Sequence, residues 1–412
     1  MNPIEQVSTR FTLDRNLTVF LTSLASGLPL LLVSTTAQAW LSTLHFSYYS
    51  IGLVSLCGLP YSLKFIWAPV LDCIKGFGDI GRRRSALIIV QVVLALLLLG
   101  VAYISPVHHP QAFYTLLLLI SFCSATQDSV VDAYRTEMTP KQSRSWSATL
   151  FMLGYRVGMV ISGAIALVIA ARFGWSLTYS AIAFLFLFLA LLCFLFPRES
   201  VSSTTSSDYR KMIVRAVNEL RNRPYIYTLV LLIVLYKITD DLVLIMTTPF
   251  LIQYLHYSLA VVGSVSKVIG LVALILGSVL GSAGVSRWGL YASLLFFGAL
   301  QLLACGFFIS LSFIGPNFQL MVFSIFFQNL AVGMATIAFI TFLMGLCNQK
   351  FTATHYALFS AIMSLPRVLL GPIAGLFVMH LGWSLFYIMS FLMGLPSLFL
   401  LRYFNKKGLY FE

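Results

Sequence analysis

Long apolar runs and short polar breaks alternate along the whole chain. Twelve runs stand out, at about 17–41, 48–71, 85–105, 111–133, 147–170, 177–196, 225–250, 258–281, 290–311, 317–345, 357–379 and 385–401. A helix of about 20 apolar residues crosses a hydrocarbon core roughly 30 Å thick. Lipid offers a bare backbone no hydrogen bonds, so each run must satisfy its own N–H and C=O groups and is expected to be a helix. The first run begins at Leu17 with no small-residue cleavage site after it, and reads as a retained span.

Composition agrees with that pattern: of 412 residues, 59% are hydrophobic and 9% charged. A soluble chain would need roughly a quarter of its residues charged. The six cysteines build no scaffold; Cys57, Cys123, Cys193 and Cys305 lie inside apolar runs, Cys73 and Cys347 at their ends, and no metal-ligand spacing links them.

Charge sets the orientation. With the N-terminus placed in the cytoplasm, twenty of the 26 Lys and Arg fall in cytoplasmic segments, one (Arg172) on the opposite side and five within runs. This is the positive-inside pattern, with both termini cytoplasmic. The net charge of +13 is then a topology signal directed at anionic lipid, and no nucleic-acid partner is needed.

The longest polar interval, 197–224, divides the runs into six and six. It predicts two helical bundles, 1–196 and 225–412, joined by a cytoplasmic linker. Internal repeats support the division. Leu44-His45-Phe46-Ser47 leading to Gly52 returns as Leu255-His256-Tyr257-Ser258 leading to Gly263. Arg156-Val157 returns as Arg367-Val368, and Gly174-Trp175-Ser176 as Gly382-Trp383-Ser384. Two halves that enter the membrane in the same direction imply a pseudo-two-fold axis along the membrane normal and a central cavity. The expected fold is thus all-α and polytopic, and its expected use is alternating access by a monomeric carrier.

Nine ionised side chains lie inside runs: Lys64, Asp128, Asp132, Arg156, Lys237, Asp240, Asp241, Lys267 and Arg367. Each is costly in lipid and must face a wet cavity or a partner; either they serve a substrate or they lock helices to one another. Their sum is weakly positive, which suits a substrate with carboxylates or phosphates. Arg156, Arg367 and Lys267 lie deep in the fifth, eleventh and eighth runs, and arginine grips a carboxylate through a two-pronged fork. Lys237 and Asp241, four apart, are expected to pair along one helix face, which leaves Asp240 as the first candidate for proton coupling and Asp128 as the second. Asp132 and Arg135 lie toward the cytoplasmic end of the fourth run and read as part of a gate with Asp72, Arg82, Arg83 and Arg84. Neutral candidates for the cavity are Gln38, Trp40, Gln328 and Asn329, which serve equally well as ties between helices. No histidine lies beside a mid-membrane nucleophile, and no glycine-rich phosphate loop occurs. Neither an enzyme nor an ATP-driven pump is expected.

Several stretches together resemble one family: Ala25-Ser26-Gly27-Leu28-Pro29-Leu30, Gln38-Ala39-Trp40, Gly81-Arg82-Arg83-Arg84 and Phe122-Cys123-Ser124-Ala125-Thr126-Gln127-Asp128. Gly154-Tyr155-Arg156-Val157-Gly158-Met159, Leu235-Tyr236-Lys237 with Asp240, Leu346-Cys347-Asn348 and Arg367-Val368 continue the likeness over nearly the whole chain. The family is that of the AmpG-type muropeptide permeases, a branch of the major facilitator superfamily shared with the acetyl-CoA transporters. The resemblance implies a bacterial inner-membrane importer that moves anhydromuropeptides, carboxylated glycopeptides of peptidoglycan recycling, from periplasm to cytoplasm. It would run on protons, with no cofactor beyond the proton gradient. The alternative is a carrier of the same superfamily for another anionic metabolite, such as a siderophore or an acyl-CoA-like solute.

Overall fold

The computed structural model describes residues 14–67, 81–138, 144–197, 219–221, 225–346 and 352–407. Asp72, expected at the gate, and most of the 197–224 linker lie outside these residues. No strand occurs among the described residues, and helix occupies each of the twelve expected intervals. We number the helices α1 (15–43), α2 (48–66), α3 (Arg82–Tyr103), α4 (Pro110–Met138), α5 (144–173) and α6 (Trp175–Leu195). The second set is α7 (226–254), α8 (259–288), α9 (290–314), α10 (Phe318–Gly345), α11 (352–381) and α12 (383–406).

Among the described residues, eight helical stretches are long and apolar enough to cross a membrane. Two of them, Leu259–Ile314 and Leu358–Lys406, run through a glycine with non-helical backbone, Gly289 and Gly382, so each holds two helices. α2 and α7 occupy the remaining expected runs. α2 is built from alternating α and 3-10 turns, and α7 carries three charges, Lys237, Asp240 and Asp241.

The repeats read from the sequence have structural counterparts. Between α1 and α2, His45 adopts a left-handed backbone (φ 56°), and Ser47 then caps α2 by accepting the Ser50 N–H at 3.2 Å. Between α7 and α8, His256 does the same (φ 58°), and Ser258 accepts the Val261 N–H at 3.4 Å. Serine is favoured at this position because its hydroxyl satisfies an N–H that the first helical turn leaves open. Gly174 and Gly382 each turn the chain at positive φ (84° and 75°) into the helix that follows. Gly81 and Gly289 form a second such pair (φ 92° and 77°), at the starts of α3 and α9. Only glycine adopts that backbone without a Cβ clash.

Contacts divide the chain into two compact units. The first draws on Met1–Val33, Lys64–Ser162 and Phe173–Ser203, the second on Ser34–Leu63, Gly163–Arg172 and Thr204–Glu412. In the first, Gly158 lies against the Leu24 carbonyl, which brings α5 onto α1. In the second, α2 lies on α11, with Gly52 and Gly371 facing each other. Ser55 donates to the Val368 carbonyl at 2.7 Å, the Ser62 and Ser364 hydroxyls meet at 2.7 Å, and Tyr48 packs edge-on to Trp383 at 5.1 Å. Gln253 of α7 donates to the Ser42 and Phe46 carbonyls at 3.2 and 3.0 Å. Helices in lipid gain no hydrophobic drive from contact; small residues and interhelical hydrogen bonds hold them instead.

Gly371→Ala puts a methyl group where the Ser55 hydroxyl and the Gly52 carbonyl already sit. Overpacking of this kind costs about 1–3 kcal/mol, so the midpoint of thermal unfolding in detergent is expected to fall. Gly306→Ala, whose methyl meets nothing within 4 Å, serves as the control. Equal midpoints for the two variants would contradict the close approach of α2 and α11.

Candidate functional site

The second unit contains a buried polar network centred on α7. Tyr236 donates to the Leu294 carbonyl of α9 at 3.0 Å and stacks on Phe339 of α10 at 4.8 Å. Thr239 donates to the Ser390 carbonyl of α12 at 2.9 Å. These contacts fix the rotation of α7 and so decide where the next side chains point.

Lys237, Asp240 and Asp241 are all buried, at 8%, 3% and 6% exposure. The Lys237 ammonium pairs with Asp240 Oδ2 at 3.1 Å, not with Asp241 as the four-residue spacing suggests. The reason is angular. Successive helix positions lie about 100° apart, and position 240 faces α9 and α10, from which two amides converge on it. Gln301 donates to Asp240 Oδ2, and Gln328 donates to Oδ1 at 3.4 Å. Lys237 completes that cluster, so both carboxylate oxygens of Asp240 are engaged. Asp241 has a different environment. Its Oδ2 is buried without a hydrogen-bond partner, and Lys237, Asp240 and Arg367 act on it through space. Gln301 was not singled out from the sequence; the one available signal is an amide alone in an apolar helix.

Arg367 follows Pro366 in α11 and is exposed, and Lys267 of α8 is half-buried. The two are close enough to repel each other. Among the described residues neither forms an ion pair within 4 Å. Lys267 sits in a π-helical stretch, Val262–Ile269, a form that recurs at functional sites. A second π turn, Leu32–Thr36, precedes Gln38 and Trp40, both buried in this unit. Asn329 spends its amide on the Ile325 carbonyl at 2.8 Å, and its side chain lies against Gly270, between α10 and α8.

In the first unit Arg156 is half-buried, and the polar atom it meets is Met159 Sδ at 3.9 Å. Asp128 is within electrostatic range of Lys64 and Asp132, with Ser26 beside it. Of the expected gate residues, Arg83 and Arg84 are buried, at 5% and 7% exposure. Arg83 donates to Glu137 Oε1 at 3.1 and 2.8 Å, and Arg82 lies 3.5 Å from the same oxygen, which ties α3 to α4. Arg84 donates to the Cys193 and Phe194 carbonyls at 3.2 and 2.6 Å, closing the end of α6. Arg135 pairs with Asp132 at 3.5 Å and lies over the Phe151 ring at 4.3 Å. These cations hold the first unit together, since a helix end cannot be left with open carbonyls.

Buried charges inside a chain of apolar helices fit a membrane transporter. The model of the Major Facilitator Superfamily matches residues 16–317. The anhydromuropeptide permease of Escherichia coli K12 is 36% identical over 392 residues, covering 95% of this chain and 80% of that one. The putative transporter AmpG 4 of Rickettsia conorii is 30% identical, covering 94% of this chain and 96% of that one. Among solved structures, the nucleoside transporter NupG superposes with a TM-score of 0.75 at 16% identity (94% and 99% covered). A D-xylose–proton symporter does so with a TM-score of 0.69 at 17% identity (93% and 96% covered). The chain belongs to the Major Facilitator Superfamily, in the branch of the AmpG-type muropeptide permeases. It is a multi-pass membrane transporter and not an enzyme.

Gln301→Leu removes one donor from a buried carboxylate. A hydrogen bond to a charged group contributes about 1.5–3 kcal/mol, so the variant is expected to unfold at a lower temperature in detergent than the wild type. An unchanged midpoint would show that Gln301 does not hold Asp240.

Proposed function

We propose that this chain imports anhydromuropeptides across the bacterial inner membrane, from periplasm to cytoplasm, by proton-driven alternating access of a monomer. The segments 1–196 and 225–412 would be the moving halves, 197–224 their linker, and both termini would face the cytoplasm. The observation that carries this reading is the pair Lys267 and Arg367. Two cations that act on each other, neither in an ion pair within 4 Å among the described residues, outnumber the one unengaged carboxylate near them, Asp241, while Asp240 is already neutralised. Such a surplus of positive charge is costly in a membrane protein, and an anionic substrate offsets it. The relative named anhydromuropeptide permease supports the choice of substrate, and such a fragment bears the carboxylates required. Arg156 of the first unit is proposed as a substrate-binding cation in its own right, because no carboxylate pairs with it among the described residues.

Transport is tested by uptake of labelled N-acetylglucosaminyl-anhydromuramic acid, with and without its stem peptide, into right-side-out and inverted vesicles. Uptake into right-side-out vesicles, driven by an imposed pH gradient, is expected. Losing one partner of a buried charge-assisted pair costs about 2–5 kcal/mol, so Arg367→Ala is expected to weaken binding at least tenfold (about 1.4 kcal/mol). No binding of either fragment by the wild type would overturn the substrate. Normal affinity in Arg367→Ala would reassign that arginine to packing.

A further inference from the structure

We propose that Asp241 is the carboxylate that takes up and releases the coupled proton, with Arg367 as its detachable counter-ion and Asp240 as a fixed structural charge. The assignment of a transport role to this switch rests on the proposed proton-driven import; the switch itself rests on the geometry.

The two adjacent acids of α7 divide the available donors unequally. Asp240 receives the Lys237 ammonium and the amides of Gln301 and Gln328, from its own helix, α9 and α10. Tyr236 and Cys305 also face it. A carboxylate gripped by three donors on three helices keeps its charge, and releasing it would break the packing of α7, α9 and α10 together. Asp241 is as deeply buried, yet its Oδ2 has no donor at all. A buried ionised carboxylate without hydrogen bonds persists only beside a cation. Lys237 and, second to it, Arg367 of α11 act on Asp241 through space. Lys237 is hydrogen-bonded to Asp240, so Arg367 is the cation of the two that is free to move away. Arg367 is itself exposed, and Lys267 of α8 is close enough to repel it. It is the one member of the group able to leave without dismantling the network.

The cycle then balances. An entering substrate carboxylate forms its ion pair with the Arg367 guanidinium, and the Arg367–Asp241 interaction is lost. Asp241 binds one proton from the side that the site faces and becomes a neutral carboxylic acid. When the substrate leaves, Arg367 returns to Asp241 and the proton departs on the opposite side. One proton moves with one substrate negative charge, so the net charge of the site stays the same at every stage, with Lys267 as the constant surplus cation.

Infrared difference spectroscopy of the full-length protein reads the switch without a transport assay. Arg367→Gln is expected to gain one protonated-carboxyl C=O stretching band at neutral pH, and Arg367→Gln/Asp241→Asn to lose it. The conservative Arg367→Lys, which keeps a cation, is expected not to show the band. In the wild type, saturation with anhydromuropeptide is expected to produce the same band, and Asp241→Asn to abolish both the band and the uptake of one proton per bound ligand. The proposal is overturned if Arg367→Gln gains no band, or if the band survives in Arg367→Gln/Asp241→Asn. It is also overturned if Asp241→Asn still takes up a proton on binding. A wild type that shows the switch across the Arg367 variants but does not bind the muropeptide supports the switch and overturns the substrate reading instead.

Discussion

An ionised carboxylate cannot remain in the interior of a membrane protein unless several donors replace the water it has lost. Asp240 meets that condition through Lys237, Gln301 and Gln328, and much of the second unit follows from it. Two of the three donors come from other helices, so the carboxylate joins α7 to α9 and α10 by polar contacts that lipid cannot supply. Tyr236 and Thr239 on the same turn reach backbone carbonyls of α9 and α12. With its rotation fixed on both sides, α7 buries Asp241 away from these donors, where Lys237 and Arg367 act on it through space. The proposed anion site would therefore share its construction with this network.

Elsewhere the chain solves the same problem with carbonyls and small residues. Arg84 closes the end of α6, and Arg83 joins α3 to α4 through Glu137. Gly52 and Gly371 let α2 and α11 approach until serine hydroxyls reach across. Neither device depends on hydrophobic contrast, which lipid removes. π turns in α1, α5, α7 and α8 change the register of the inward face partway along each helix.

The helices were legible in the sequence because each apolar run must close its own backbone hydrogen bonds, and the superfamily was legible in motifs spread along the chain. The repeats were legible where they rest on local chemistry: the left-handed histidine with its serine cap, and the glycine that turns into a tryptophan. Gly81 and Gly289 share a backbone but differ in the residues that follow, Arg82 and Leu290, so no sequence likeness joins them. The site was half legible. Its charges could be named, since a charge in a run is conspicuous, but their pairing could not. Spacings of three and four from Lys237 are equally good on a helix, and the amides of Gln301 and Gln328, distant in sequence, decide between Asp240 and Asp241. Arg83 and Arg84 lie in a polar break, and nothing in it shows that the carbonyls at the end of α6 and the Glu137 carboxylate bury them.

The central claim is that Lys237 and Asp240 neutralise each other in the membrane interior, and a double-mutant cycle tests it most directly. Thermal unfolding would be measured for the wild type, Lys237→Met, Asp240→Asn and Lys237→Met/Asp240→Asn in the same detergent. Removing one partner strands a buried charge at a cost of about 3–5 kcal/mol, whereas removing both is nearly neutral. The account predicts that the double variant is more stable than either single one, with a coupling above about 2 kcal/mol; losses that add to within about 0.5 kcal/mol would contradict it.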